Sequence, residues 1–102
     1  MTTLPPAQIS DIRSTIREVA SQACPPMKPS EIVKGCGALD FYHISRLRGI
    51  VGLRLKAAGI PTARIAEVFS QPWNTTDNQI KTSTSLAAHP RFAHFFHAQR
   101  QQ

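Results

Sequence analysis

Two cysteines, Cys24 and Cys36, and four histidines, His43, His89, His94 and His97, are the side chains that could bind a transition metal. Structural zinc sites draw their ligands from tight pairs such as Cys-x2-Cys. Here the cysteines stand twelve residues apart, and His94 with His97 is a single helical step. No metal or other cofactor is expected, and the histidines read as surface groups on a basic tail. Cys36 with His43 could form a nucleophile and base in principle, but no glycine elbow or orienting acid accompanies them. No enzymatic activity is expected.

The stretch from Thr75 to Thr82 offers different chemistry. Thr75, Thr76, Asn78, Gln79, Lys81 and Thr82 crowd hydroxyls, carboxamides and an ammonium into two helical turns. Asn and Gln can bond adenine through two hydrogen bonds, and Lys favours guanine or phosphate. The cations needed to hold a polyanion lie just upstream. Arg46, Arg48, Arg54, Lys56 and Arg64 span nineteen residues that contain no carboxylate. The first 31 residues are nearly neutral by comparison, with Asp11, Glu18 and Glu31 against Arg13, Arg17 and Lys28. Over all 102 residues, twelve Lys and Arg face six Asp and Glu, a formal charge of +6. Such an excess points to DNA, RNA or an anionic surface as partner.

The elements that must position these groups read as helices. Ile9, Ile12, Ile16, Val19, Ala20 and Ala23 recur at three- and four-residue steps, predicting an amphipathic helix over 7–23. Cys24-Pro25-Pro26 stops it. A short helix is expected over 29–34, with proline in its first turn, and Gly35-Cys36-Gly37 breaks the chain. Asp40 can cap a long third helix through Ala58, with Phe41, Ile44, Leu47, Ile50, Val51, Leu55 and Ala58 inward. Gly49 and Gly52 inside it each cost about 1 kcal/mol relative to alanine. Their shared face suggests another helix crossing closely there.

A fourth helix is expected over 62–70 with Ile65, Ala66 and Phe69 inward, then a turn at Gln71-Pro72-Trp73-Asn74. A fifth starts at Thr75 or Thr76 and runs to about Ala88. Pro90 permits a last helix or tail over 89–102, and residues 1–6 are expected to fray. No segment alternates with the two-residue period of a strand. The fold class is all-α: one compact domain over 1–102, with five or six helices. There is no apolar run near the roughly 20 residues that span a membrane, and no signal-peptide pattern. A cytoplasmic location with free thiols is the default.

A helix, a sharp turn and a second helix in a basic chain form a helix-turn-helix over 62–88, which delivers the second helix to the major groove. Ile16-Arg-Glu-Val-Ala, Ser30-Glu-Ile-Val-Lys-Gly, His43-Ile-Ser-Arg-Leu-Arg and Ile65-Ala-Glu-Val-Phe together resemble the C-terminal DNA-binding domain of the bacterial replication initiator DnaA. That domain belongs to a group that includes the Trp repressor. The resemblance runs from about Ile12 to Leu86. It implies that Arg46 or Arg48 touches the DNA backbone or minor groove. The family reads bases with Asp-His-Thr-Thr-Val, where this chain has Trp73-Asn74-Thr75-Thr76-Asp77, so two threonines match. Asp77 stands where the family has a buried apolar residue. Either the turn is about three residues longer and Ile80 fills that slot, or the reading surface has diverged. The family's nucleotide-binding domain has no counterpart here, so initiator activity is not implied.

The expected function is therefore double-stranded DNA binding, as a small transcriptional regulator. Thr75, Thr76, Asn78, Gln79, Lys81 and Thr82 would read bases, and the five upstream cations would hold phosphates. The alternative is a protein-interaction module or small inhibitor on the same fold. Two aromatic features stay open at this level. Trp73 is either an anchor beneath the helix pair, the commoner role for one aromatic at a turn, or an exposed stacking group. The Phe92, Phe95 and Phe96 stripe either caps the core or forms a seam for a homodimer, as paired half-sites would require.

Overall fold

The computed structural model describes residues 6–23, 26–35 and 41–97. These form six α-helices: α1 (Pro6–Gln22), α2 (Pro29–Lys34), α3 (Phe41–Ala57), α4 (Thr62–Val68), α5 (Trp73–Ser83) and α6 (His94–His97). A 3-10 turn, Thr84–Ala88, continues from α5. Among the described residues there is no strand, and the class is all-α.

The apolar periodicity is spent on one core. Ile12, Ile16, Val19, Ala20 and Ala23 of the α1 segment meet Ile32 of α2 and Leu47, Ile50, Val51 and Leu55 of α3. Ile60, Ile65, Phe69, Ile80, Leu86, Phe92 and Phe95 close it from the other side. Each fully buried Ile, Leu or Phe contributes about 1.5–3 kcal/mol. Phe92 and Phe95 are 1% and 2% exposed and Phe96 is partly buried, so the aromatic stripe caps this core. Ala58, expected inward, is exposed, because α3 ends one residue before it. Cys24, Cys36 and the expected Asp40 cap lie outside the described residues.

Helix ends follow from local chemistry. Gly35 ends α2 in the left-handed region (φ 73°), its N–H donating to the Glu31 carbonyl at 2.9 Å. At the end of α3, Gly59 (φ 94°) lets its own N–H reach the Lys56 carbonyl and that of Ile60 reach Leu55, both at 3.0 Å. This pairing satisfies carbonyls that a helix end leaves open. The chain then reverses through buried Ile60 into Pro61, which precedes α4.

The end of α4 repeats that geometry with a non-glycine residue. Ser70 (φ 53°) donates its N–H to Glu67 at 3.2 Å, and Gln71 donates to Ala66 at 3.0 Å. The helix thus ends at Val68, two residues before the expected Ser70. Helix α5 starts at Trp73, two or three residues earlier than expected, because Pro72 takes the position just before the first turn. Its backbone dihedrals are extended, and its carbonyl accepts the Thr76 N–H at 3.1 Å.

Helices α3 and α5 touch backbone to side at the two glycines. A Cβ on Gly49 would overlap the Gln79 carbonyl oxygen and stand 3.0 Å from its carbon and 3.3 Å from Ser83 Cβ. One on Gly52 would stand 2.6 Å from Ile80 Cγ1. The close crossing expected from the glycine spacing is therefore present, and α5 is the helix that crosses.

Candidate nucleic-acid interface

Helix α5 divides its polar residues between two faces. Asn74, Thr75, Asn78, Lys81 and Thr82 are exposed and share one side at steps of one, three and four residues. Thr76 and Gln79, expected to read bases, are 1% and 8% exposed and face the core together with Ile80 and Ser83. The expectation for these two is corrected: a base edge cannot reach them. Asn74, assigned to the turn in the sequence, joins the outer face because the helix begins earlier.

Burying Thr76 and Gln79 requires partners, since an unbonded polar group loses about 1–3 kcal/mol on leaving water. Gln71 supplies them. The carboxamides of Gln71 and Gln79 bond each other reciprocally, at 2.9 and 3.0 Å. Gln71 also donates to Thr76 Oγ1 at 3.2 Å, and Gln79 donates to Ser45 Oγ of α3 at 3.0 Å. Thr76 in turn donates to the Pro72 carbonyl at 3.2 Å. This amide pair ties the α4–α5 connection to both α5 and α3, which fixes the angle at which α5 leaves the turn. Gln71 was not singled out in the sequence, where it looks like any polar turn residue.

Arg48 completes the network and is corrected as a phosphate contact. It is 6% exposed. Its Nε donates to the Ile32 carbonyl at 2.8 Å and its Nη2 to the Val33 carbonyl at 2.9 Å. These are among the last carbonyls of α2, which the helix itself leaves open. Nη1 donates to Gln71 Oε1 at 2.9 Å, and the guanidinium lies 5.2 Å from the Phe69 ring centre. Burial pushes its pKa below the usual arginine value.

Arg54 is corrected for the same reason. Its Nη2 donates to the Phe95 carbonyl at 2.8 Å and Gln22 Oε1 at 3.2 Å, and Nη1 lies 3.5 Å from Glu18. It therefore clamps α1 to α6. Burial lowers its pKa, and the Glu18 carboxylate pulls it back up.

The other three expected phosphate contacts keep outward positions. Arg46 is half-buried over the exposed Tyr42 ring, 4.3 Å from its centre. Lys56 is exposed and donates to Thr62 Oγ1 at 3.1 Å, at the start of α4. Arg64, half-buried on α4, bonds Glu67 at 2.9 Å. Asp77 is half-buried and holds Lys81 at 2.9 Å across one turn. Ile80, 7% exposed, is buried, but α5 begins at Trp73, so the connection is not lengthened as the first of the two alternatives required. Trp73 is 52% exposed and is not the anchor that was favoured.

Among the described residues no three His, Cys, Asp or Glu side chains converge as a metal site. His43 is buried, its ring 5.3 Å from that of Phe92, and His94 Nε2 donates to the Gln22 carbonyl at 2.6 Å. Cys24, Cys36 and the His97 side chain fall outside the described residues. No described helix is long and apolar enough to cross a membrane. Comparison with known protein families, curated proteins and solved structures gives no match.

Proposed function

We propose that the chain binds double-stranded DNA through a helix-turn-helix made of α4, the Phe69–Pro72 connection and α5, as a small transcriptional regulator. One observation carries this reading. The outer face of α5 is a run of carboxamide, hydroxyl and ammonium side chains, Asn74, Thr75, Asn78, Lys81 and Thr82, with no large apolar residue beyond Trp73 at its start. Such groups match the donor and acceptor pattern of base edges in the major groove. The amide network and the two α3 glycines hold that face at a set angle, and rigid placement is what base discrimination needs.

Arg46, Lys56 and Arg64 serve the backbone, where positive charge positions the protein without reading sequence. Lys56 and Arg64 lie at or near the start of α4, the helix that crosses the backbone in this arrangement. The resemblance of its motifs to the DnaA C-terminal domain supports the same reading. The test is selection from a random duplex library followed by affinity measurement. Asn78→Ala should relax sequence preference more than it lowers affinity for random DNA. Equal losses on every sequence would remove α5 from the base-reading role.

A second reading has its own support. Trp73 and Tyr42 are 52% and 55% exposed, and exposed aromatics are enriched at protein interfaces. A protein partner would then occupy the surface assigned here to DNA. Trp73→Ala and Tyr42→Ala would abolish that binding, while duplex binding would be undetectable at any salt concentration.

A further inference from the structure

We propose that the groove between the end of α2 and the α4–α5 connection binds a phosphate group, which on the DNA-binding reading above is a backbone phosphate beside the α5 contact. Its walls are Val33, Lys34 and Gly35 on one side and Ser70, Gln71, Pro72 and Thr75 on the other, with Arg48 and Phe69 between them. The groove is largely open to solvent, with a volume of about 620 Å³. A liquid water occupies about 30 Å³, so there is room for a phosphodiester and its hydration.

The charge around it is of one sign. Lys34 and Arg48 line the groove, and none of its described lining residues is acidic. Glu31, one turn before Gly35 on α2, turns its carboxylate to the Lys28 N–H at 2.9 Å, at the other end of that helix. Cations in a cleft with low-dielectric walls focus their field outward and concentrate anions there. The groove between α1, α3 and α6 differs, because Glu18 lines it beside Arg54.

Two backbone features favour the same use. Gly35 is the residue whose Cβ would stand 3.0 Å from Arg48 Nη2, so the missing side chain lets the buried guanidinium, bonded to the Val33 carbonyl, lie close beneath the groove and lend it charge rather than a direct contact. Ser70 holds φ 53° where glycine is conformationally easier, and it is exposed at the groove edge. Such residues are held in place by the surrounding structure and cluster at ligand sites. Ser70 offers a hydroxyl donor for a phosphate oxygen, with Thr75 offering a second.

None of Lys34, Gly35 and Ser70 belongs to the contacts assigned above. The experiment has two arms. In the first, the salt dependence of duplex affinity is measured for the wild type, Lys34→Gln and, as a charge-matched control outside the groove, Arg91→Gln. Lys34→Gln should flatten the slope of log K against log salt by about one unit, the value of one lost phosphate contact, and Arg91→Gln should not. Equal slopes for the two variants would overturn the groove site while leaving DNA binding intact.

In the second arm, inorganic phosphate is titrated while the amide resonances of Gly35, Ser70 and Thr75 are followed. Saturable shifts that Lys34→Gln removes support the site even if no duplex binds, and then identify free phosphate as the source. No shift at those amides, with no duplex effect, overturns it. Ser70→Gly adds a readout that a purely structural role would not move: it should raise Tm yet weaken phosphate binding. Higher Tm with unchanged phosphate binding would refute the hydroxyl's part.

Discussion

Alanine at Gly49 should destabilise the fold, although alanine is the better helix former. Its Cβ would overlap the Gln79 carbonyl oxygen and come within 3.0 Å of the carbonyl carbon. Both atoms are backbone, so no rotamer change relieves the contact, and α5 must move away from α3. Overpacking of this kind costs about 1–3 kcal/mol. The gain in helix propensity returns about 1 kcal/mol. The net loss is about 0–2 kcal/mol, with the upper end expected for a backbone obstacle, and each kcal/mol lowers Tm by about 4–8 °C in a domain of this size.

Gly52→Ala separates the two terms, because it brings the same propensity gain against a different obstacle. Its Cβ meets Ile80 Cγ1 at 2.6 Å and Cδ1 at 3.0 Å, atoms of a side chain that can rotate. The Gly52→Ala penalty should shrink in an Ile80→Ala background and the Gly49→Ala penalty should persist, as urea denaturation of the double-mutant cycle would show. A Gly49→Ala protein more stable than wild type by about 1 kcal/mol, as for an unobstructed helix glycine, would refute the close crossing.

Neighbouring residues on α5 should behave oppositely. Asn78→Ala should leave stability within about 0.5 kcal/mol of wild type, as an exposed residue does. Gln79→Ala removes one partner from each end of the Gln71 carboxamide and the donor to Ser45 Oγ, with an expected loss of about 1–3 kcal/mol by chemical denaturation. Arg48→Met leaves the Ile32 and Val33 carbonyls and Gln71 Oε1 without that donor, and should lose about 3 kcal/mol. Arg48→Lys should rescue little, because one ammonium cannot reproduce a three-way fork. Thermal melts of the pair, with equal losses expected, check this.

The helical class was legible in residues such as Ile12, Ile16, Val19 and Ala23, whose spacing leaves no other period. The crossing of α5 over α3 was legible in Gly49 and Gly52, although the identity of the crossing helix was not. The start of α5 was hidden because Gln71-Pro72-Trp73-Asn74 is turn chemistry by composition. Proline there lacks an N–H the first turn does not need, so it begins a helix equally well. The fate of the cations was hidden for a different reason. Arg46, Arg48 and Arg54 are alike in sequence, and only the carbonyls of Ile32, Val33 and Phe95, far along the chain, decide which are drawn inward. Thr76 and Gln79 were misassigned because polar residues default to the surface unless a buried partner is known. That partner, Gln71, lies across the turn.

The salt dependence of binding to a DNA duplex, followed by fluorescence anisotropy, decides whether this basic helical chain is a DNA-binding protein. With Arg46, Lys56 and Arg64 on phosphates, log K should fall linearly with log salt at a slope of about −2.7 or steeper, at about −0.9 per phosphate. No detectable binding to any duplex at low salt, or a slope near zero, would contradict it.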